Sequence, residues 1–317
     1  MDLGGIHHVT AISARIRDNH RFYTGVLGMR LVKRSVNQDD VRAYHLFYAD
    51  AVGTPGTDLT FFDWDVPLES RGTNSIVRTH LRVNGSDSLG WWADHLSENG
   101  LAHEGLRERD GRATLDFEDP EGLRLALFDD GGHGEPPVPW ERSPVPIVHQ
   151  VRGLGPIVIS VPSLTETDAV LTRVMALRPV REYSDPVGGT TYVHVYEMGH
   201  GGPSAEVHVA VQPDLPVTRQ GAGGVHHVAF RTRTDDEYHA WGERLNRFHV
   251  PNSGEIDRHW FRSLYFREPN GILFEIATDG PGFTVDERAE TLGEAVVLPP
   301  VLEPHRKRIL AGLRPID

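Results

Sequence analysis

The sequence contains no cysteine among its 317 residues. That absence excludes disulfide bonds, a thiolate nucleophile, and cysteine-bound zinc or iron–sulfur clusters, so any metal site must use histidine, aspartate, glutamate or tyrosine. Basic residues are also in deficit, with 32 Lys and Arg against 45 Asp and Glu, and no basic tract is long enough to follow a phosphate backbone. Nucleic acid is therefore a poor partner.

Long apolar runs are missing as well. No stretch approaches the roughly 20 residues that a membrane-spanning helix needs, and the initial MDLGG has neither the basic nor the apolar segment of a signal peptide. The hydrophobic content of 38% and the charged content of 24% are typical of a globular protein. We therefore expect a soluble cytoplasmic protein without membrane or nucleic-acid partners.

Two sequence segments recur at distant points of the chain. GGIHHVTAIS (4–13) returns as GGVHHVAFRT (223–232), and FEDPEGLRLALFDD (117–130) returns as FREPNGILFEIATD (266–279). Each member of the second pair carries an acid-Pro-x-Gly turn followed by an apolar strand. Such repeats indicate a fold that is built from similar units.

Fitting the chain around these segments predicts four β-α-β-β-β modules. They cover residues 6–64 (module 1), 75–128 (module 2), 156–211 (module 3) and 224–278 (module 4), with helices near 18–26, 86–98, 164–175 and 235–246.

We therefore predict an α+β fold of four βαβββ modules paired into two domains. Residues 1–133 would form an amino-terminal domain of modules 1 and 2, and residues 147–280 a carboxy-terminal domain of modules 3 and 4. The proline-rich segment 134–146 would link them, and a tail at 281–317 would contain one helix near 303–313.

Glu275 is the most informative single residue. It lies inside the apolar strand GILFEIATD, where a carboxylate is costly unless a cation neutralises it. At the matching place module 2 has Ala126 and module 1 has Thr60, so the fold does not require a charge there. Two partners are open on this observation alone: a metal ion, or an arginine such as Arg231 or Arg267.

The doubled histidines favour the metal. They occur at equivalent positions of modules 1 and 4 only, and pseudo-symmetry would bring these two strands together. Because side chains alternate between the faces of a strand, one histidine of each pair can reach a given site. His8 and His227 share their faces with small residues, Thr10 in the first case, which leave room beside a metal. His7 and His226 would support the ligands from behind or simply pack.

Two imidazoles and one carboxylate form the facial triad of non-haem Fe(II) oxygenases, which leaves three coordination positions open for substrate and dioxygen. We therefore predict a metal site of His8, His227 and Glu275. The other strand histidines stand singly, and we interpret them as structural: His45, His80, His194 and His208.

At this point the chain resembles a known family. The segments GGIHHVTAIS, FYTGVLGMRLVKRSVN, YHLFYADAVGTPGTDLTFF, GGVHHVAF and DRHWFRSLYFREPNGILFEIATDGPGF together resemble ring-cleaving dioxygenases of the vicinal oxygen chelate (glyoxalase/bleomycin-resistance/extradiol dioxygenase) superfamily, in particular those that act on hydroquinones. The resemblance covers nearly the whole chain. One departure is His259-Trp260, where a smaller or different aromatic pair is common.

The resemblance implies an Fe(II)-dependent enzyme, or one that uses Mn(II), which inserts O2 into a dihydroxylated aromatic ring and forms a homodimer or larger homo-oligomer. It places Arg258 and Tyr265 beside the substrate. Arg258 would stabilise an anionic ring oxygen through charge-assisted hydrogen bonds, and Tyr265 would donate a proton. With His7, His226 and Thr10 they complete the predicted catalytic set.

Two other functions stay open. The first is a glyoxalase-like metal-dependent isomerase or transferase, but glyoxalase I-type sites take a carboxylate from each paired module, and module 1 has Thr60 instead. The second is a metal-free protein that binds an aromatic ligand, as bleomycin-resistance proteins do. Such a protein needs neither Glu275 in an apolar strand nor duplicated histidines, and metal binding distinguishes it from both enzymes.

Overall fold

The computed structural model describes residues 1–185 and 191–316. Modules 1 and 2 have the predicted order of elements. Module 1 consists of β1 (Ile6–Ser13), α1 (Ile16–Arg21), β2 (Arg30–Val36), β3 (Tyr44–Ala49) and β4 (Asp58–Asp63). Module 2 consists of β5 (Ser75–Val83), α2 (Ser86–Glu98), β6 (His103–Arg109), β7 (Arg112–Glu118) and β8 (Arg124–Asp129).

Modules 3 and 4 repeat this order. Module 3 consists of β9 (Gly153–Val161), α3 (Leu164–Ala169), β10 (Arg178–Asp185), β11 (Thr191–Glu197) and β12 (Glu206–Val211). Module 4 consists of β13 (Val225–Thr232), α4 (Asp235–Arg247), β14 (Ile256–Asp257), β15 (Arg262–Arg267) and β16 (Leu273–Thr278). Helices α1 and α3 each continue into a five-residue π-helical turn, at Phe22–Val26 and Val170–Val174.

Helix α4 shows how local sequence sets an element. The Thr234 hydroxyl accepts the Glu237 amide hydrogen at its amino end, at 3.2 Å, and three acidic residues occupy its first turn. Arginines occupy the last turn, so both ends complement the helix dipole. One face, which includes Tyr238, Trp241 and Leu245, is buried against module 4.

The strands form two eight-stranded sheets. The first sheet has the order β14-β15-β16-β13-β1-β4-β3-β2, and the second has the order β10-β11-β12-β9-β5-β8-β7-β6. In each sheet two modules join through antiparallel pairing of their first strands, β1 with β13 and β5 with β9. The predicted α+β fold of four βαβββ modules is confirmed.

The sheets define which modules share backbone hydrogen bonds. Module 1 shares a sheet with module 4, and module 2 shares one with module 3. The reason is that equivalent first strands, from opposite halves of the chain, pair with each other. The boundaries 1–133 and 147–280 stay predictions, and each of these ranges contributes to both sheets.

The segment 134–146 contains no helix or strand and follows the surface of module 1. The Val138 amide donates to Asp50 Oδ2 at 2.9 Å, and the Ala51 amide donates to the Val138 carbonyl at 2.9 Å. No helix in the described part of the chain is both long and apolar enough to cross a membrane. Location in the cytoplasm stays a prediction.

The tail contains the predicted helix, α5 (Arg306–Gly312), after a 3-10 turn at Glu303–His305. Two further 3-10 turns lie at Phe283–Val285 and Ala289–Thr291. Residue 317, the end of the predicted tail, lies outside the described residues. Phe283 and Leu292 pack with Phe47 and Trp260 on the first sheet, so the tail covers part of the face that carries the candidate site.

Candidate metal centre

Three adjacent strands of the first sheet bring the predicted ligands together. Thr10 of β1 lies opposite His227 of β13, and Ala229 of β13 lies opposite both His8 and Glu275 of its neighbours β1 and β16. His8 Nε2 is 3.3 Å from His227 Nε2. Glu275 Oε2 is 3.2 Å from His8 Nε2 and 2.9 Å from His227 Nε2.

These spacings fit a six-coordinate metal ion. Adjacent ligand atoms at about 2.1 Å from an octahedral ion are about 3.0 Å apart. Glu275 is fully buried, and neither of its carboxylate oxygens accepts a well-directed hydrogen bond from the described residues. Burial alone would raise the pKa of Glu275, but His8 and His227 lower it well below its ordinary value. A buried carboxylate without a donor needs a cation, and the residues present fit one.

His7 determines which nitrogen of His8 is free for a metal. His7 Nε2 donates to the Thr278 carbonyl at 3.0 Å, because a carbonyl can only accept. Burial and the neighbouring His8 lower the pKa of His7 to about 3, so the ring is neutral and its Nδ1 is an acceptor. His8 Nδ1, at 2.9 Å from it, must therefore donate. That tautomer leaves a lone pair on His8 Nε2, which faces Glu275.

Module 4 repeats the arrangement. His226 Nδ1 lies 2.8 Å from His227 Nδ1, and burial together with His227 lowers the pKa of His226 to about 3. Burial also lowers the pKa of His227, although Glu275 opposes this shift. The outer histidine of each pair therefore contacts the inner one through Nδ1 and leaves the inner Nε2 directed at the cluster. His7 and His226 therefore lie where groups that orient the two candidate ligands would be expected.

Tyr265 and Arg258 line the same cavity as His8 and His227, two of the three candidate ligands. Tyr265 of β15 lies opposite Glu275, and its ring centroid is 5.8 Å from that of His227. Burial and the Glu275 charge raise the pKa of Tyr265, so its phenol stays protonated. The Arg258 guanidinium lies 5.4 Å from the Tyr265 ring centre and donates to both carboxylate oxygens of Asp39, at 3.2 and 2.8 Å.

Thr10 belongs to a polar chain beneath the cluster, and this chain includes a residue that sequence reasoning missed. The Thr10 hydroxyl lies 2.8 Å from the Thr60 hydroxyl, which lies 3.0 Å from His45 Nε2. His45, interpreted above as structural, lines the cavity. The sequence indicates that His45 shares a face of β3 with Phe47, because side chains alternate along a strand. It does not indicate that β3 lies close to the candidate ligands, since that depends on the order of strands in the sheet.

Trp260 of the His259-Trp260 pair also contributes to the cavity wall. Trp260 is buried, and its Nε1 donates to Asp286 Oδ2 at 2.9 Å. His259 Nε2 lies 3.0 Å from the same oxygen, and the buried Lys33 Nζ lies 2.7 Å from Asp286 Oδ1. Asp286 therefore connects the tail both to the wall of the cavity and to β2.

Two other places in the described residues resemble a functional site but lack free groups that could bind a metal. Asp110, Glu206 and His208 cluster on the second sheet, but Glu206 already accepts two hydrogen bonds from Arg112, at 2.8 and 2.6 Å. A larger cavity of about 400 Å³ lies where the modules meet, near Arg231. Its arginines are paired with carboxylates or backbone carbonyls, and no group of potential metal ligands lines it.

Comparison with known proteins places this geometry in a family context. Residues 5–127 and 153–276 match the model of the glyoxalase/bleomycin resistance protein/dioxygenase superfamily. The chain is 46% identical over 320 residues to the provisionally named ring-cleaving dioxygenase MhqA of Bacillus subtilis (strain 168), covering 100% of both. It is 30% identical over 326 residues to the chlorohydroquinone/hydroquinone 1,2-dioxygenase of Sphingobium indicum, covering 96% of this chain and 94% of that protein.

Solved structures agree with the sequence relatives. A provisionally assigned dioxygenase from Bacillus subtilis superimposes with a TM-score of 0.91 at 34% identity, over 99% of this chain and 98% of that one. Glyoxalase I from Zea mays shares the fold, with a TM-score of 0.63 at 12% identity over 87% of this chain and 92% of that one. The chain belongs to the glyoxalase/bleomycin resistance protein/dioxygenase superfamily.

Proposed function

We propose that this protein is an Fe(II)-dependent ring-cleaving dioxygenase of the extradiol type that inserts O2 into a hydroquinone. The observation that carries the proposal is the fully buried Glu275 carboxylate, which accepts no well-directed hydrogen bond from residues 1–185 and 191–316. Its Oε2 lies 3.2 and 2.9 Å from the Nε2 atoms of His8 and His227, the separation expected of two atoms that bind one metal ion. The names of the ring-cleaving and hydroquinone dioxygenase relatives support the same activity. Mn(II) is the alternative metal.

His8, His227 and Glu275 would hold the metal. When bound, the metal would supply adjacent coordination positions for a ring oxygen and dioxygen and a route for electron density between them. Two neutral imidazoles and one carboxylate leave a dication with a local charge of about +1, which favours binding of a phenolate over a phenol. His7 keeps Nε2 of His8 unprotonated through the Nδ1 contact, and His226 makes the corresponding Nδ1 contact with His227.

The other residues of the cavity would orient the ring and control protons. Tyr265 keeps its proton, because burial and Glu275 raise its pKa, and therefore acts as a donor to substrate oxygen. Arg258 offers charge-assisted hydrogen bonds to an anionic ring oxygen once the substrate competes with Asp39. Phe47, Phe62 and Trp260 line the cavity with apolar surface that excludes water.

The isomerase alternative is disfavoured by Thr60. Pairing of Thr10 with Thr60, and of Ala229 with Glu275, places Thr60 at the position in module 1 that Glu275 has in module 4. A glyoxalase I-type site would take its second carboxylate from this position. Thr60 instead bonds Thr10 and His45.

Oxygen uptake tests the proposed function. Protein loaded anaerobically with Fe(II) should consume O2 with hydroquinone, in proportion to the loss of the ring's ultraviolet absorbance, and more slowly with catechol. Glu275→Ala should abolish uptake, whereas Glu255→Ala, an exposed carboxylate paired with His239, should not change it. A tightly bound metal without uptake would indicate isomerase or transferase chemistry, and no bound metal would indicate a binding protein.

We also propose a homodimer as the oligomeric state. The support is two exposed apolar side chains on neighbouring segments, Leu68 at 63% and Val217 at 69% exposure. Burial of exposed apolar side chains is a common basis of association. Analytical ultracentrifugation should give about twice the chain mass of 35.3 kDa, and a monomer at micromolar concentration would contradict this assignment.

A further inference from the structure

We propose that His45 binds the ring hydroxyl that is not on the metal and so selects rings whose two hydroxyls are para to each other. The inference rests on the proposed function and adds a substrate-positioning residue to it.

One nitrogen of His45 is used and the other is free. His45 Nε2 lies 3.0 Å from the Thr60 hydroxyl, which is held in turn by Thr10 at 2.8 Å. Nδ1 has no hydrogen-bond partner among residues 1–185 and 191–316. A neutral imidazole in this setting presents one further donor or acceptor to the cavity.

The surroundings of that nitrogen are apolar. The ring centroids of Phe47 and Phe62 lie 3.9 and 4.6 Å from the His45 centroid. Burial, reinforced by His8 and His227, lowers the pKa of His45 well below its ordinary value, which keeps the ring neutral. A polar atom that faces an apolar cavity discriminates strongly, because a ligand without a matching group leaves it unpaired.

His45 is positioned to contact the end of the substrate ring that is remote from the metal. It lines one cavity with His8 and His227 but comes from β3, two strands away from β1. Two strand spacings are about 10 Å, enough for a ring that is bound to the metal at one end and hydrogen-bonded at the other. A catechol carries both hydroxyls on the metal side and has none for His45.

Anaerobic calorimetry on the Fe(II)-loaded protein tests this assignment with hydroquinone and phenol, which differ only in the far hydroxyl. The protein should bind hydroquinone roughly tenfold more tightly than phenol. His45→Phe keeps an aromatic ring between Phe47 and Phe62. It should lose most of the tenfold preference, through weaker binding of hydroquinone, while its affinity for phenol should not change. His194→Phe, a half-buried strand histidine of the second sheet, serves as the matched control and should change neither.

Thr60→Val provides a second route to the same contact. It keeps the His45 imidazole but removes the hydroxyl that orients it, so hydroquinone affinity should fall less than in His45→Phe and should not fall further in the double variant. This variant carries the test if His45→Phe fails to fold. Equal losses for phenol and hydroquinone, or no loss for either, would overturn the role of His45 and leave the proposed function standing. Failure of the metal-loaded protein to bind either ring would overturn both.

Discussion

At the scale of residues, the proposed metal site gives the two histidines of β1 separate tasks. His8→Ala removes a ligand atom, and we expect it to abolish binding of the metal. His7→Ala removes only the acceptor for His8 Nδ1, and we expect the metal to stay bound with an affinity about 10- to 100-fold lower. Metal content after dialysis and competition with a chelator measure both effects. Equal metal loss in the two variants would contradict this division.

Protonation of His7 should contribute to the pH dependence of the protein's unfolding free energy. Its pKa is about 3 in the folded protein against an ordinary value of 6.5. Between these values the unfolded chain binds a proton that the folded chain does not, so stability falls as the pH falls below 6.5. Between pH 6.5 and 4.5 the loss should be about 2 kcal/mol. Urea unfolding should show that metal-free wild-type protein loses about 2 kcal/mol more than metal-free His7→Asn over this range. His226, whose pKa is also lowered to about 3, contributes to the slope of both proteins.

The sequence identifies the metal cluster better than its surroundings. Strand alternation and the burial of a carboxylate predict His8, His227 and Glu275, and the structure brings them together. Metal binding itself stays a prediction. Alternation also gives the face of His45, but its role depends on β3 lying two strands from β1 and on the hydroxyl of Thr60. Such long-range relations have no local signal.

At the scale of elements, the tail is held by Asp286. This carboxylate accepts hydrogen bonds from Lys33 and Trp260 and contacts His259, while Lys33 Nζ also contacts Glu287. Asp286→Ala leaves a fully buried ammonium with one carboxylate fewer, and we expect a loss of about 2 kcal/mol in unfolding free energy. Urea denaturation measures the loss, and Asp214→Ala, at an exposed position outside the helices and strands, is the control. Metal content should not change, because none of the candidate ligands contacts Asp286.

The elements themselves are mostly predictable. The helix expected at 86–98 is α2, and the one expected at 235–246 differs from α4 by one residue. The helices of modules 1 and 3 differ more, because each starts as an α-helix and ends in a π-helical turn. A π-helical turn depends on the packing around it, and neither the helix propensity of its residues nor the period of its hydrophobic residues predicts it.

At the scale of the whole molecule, the two sheets connect the halves of the chain on either side of residues 134–146. A protease site inserted between the exposed Glu141 and Arg142 should therefore allow cleavage without separation of the fragments. The pairs β1–β13 and β5–β9 would hold them together. Size-exclusion chromatography before and after cleavage should give one unchanged peak, with metal retained. Two separate peaks would mean that the halves are independent.

The pairing of modules follows from only one feature of the sequence repeats, the doubled histidines. Repeats reveal which segments are equivalent. Equivalence alone is compatible with module 1 pairing with module 2 or with module 4. The doubled histidines contained the stronger signal. They occur in modules 1 and 4 only, and a shared site for both pairs requires these two modules to be adjacent.

The position of the ligands also sets an order of events during synthesis. His8 emerges from the ribosome about 270 residues before Glu275, which at 5–20 residues per second is a delay of roughly 15 to 50 s. During most of that interval β1 has no β13 beside it and presents an open edge, which is prone to misassembly. A metal could not be held by all three candidate ligands until translation has nearly finished, so loading would be a step of the almost complete chain.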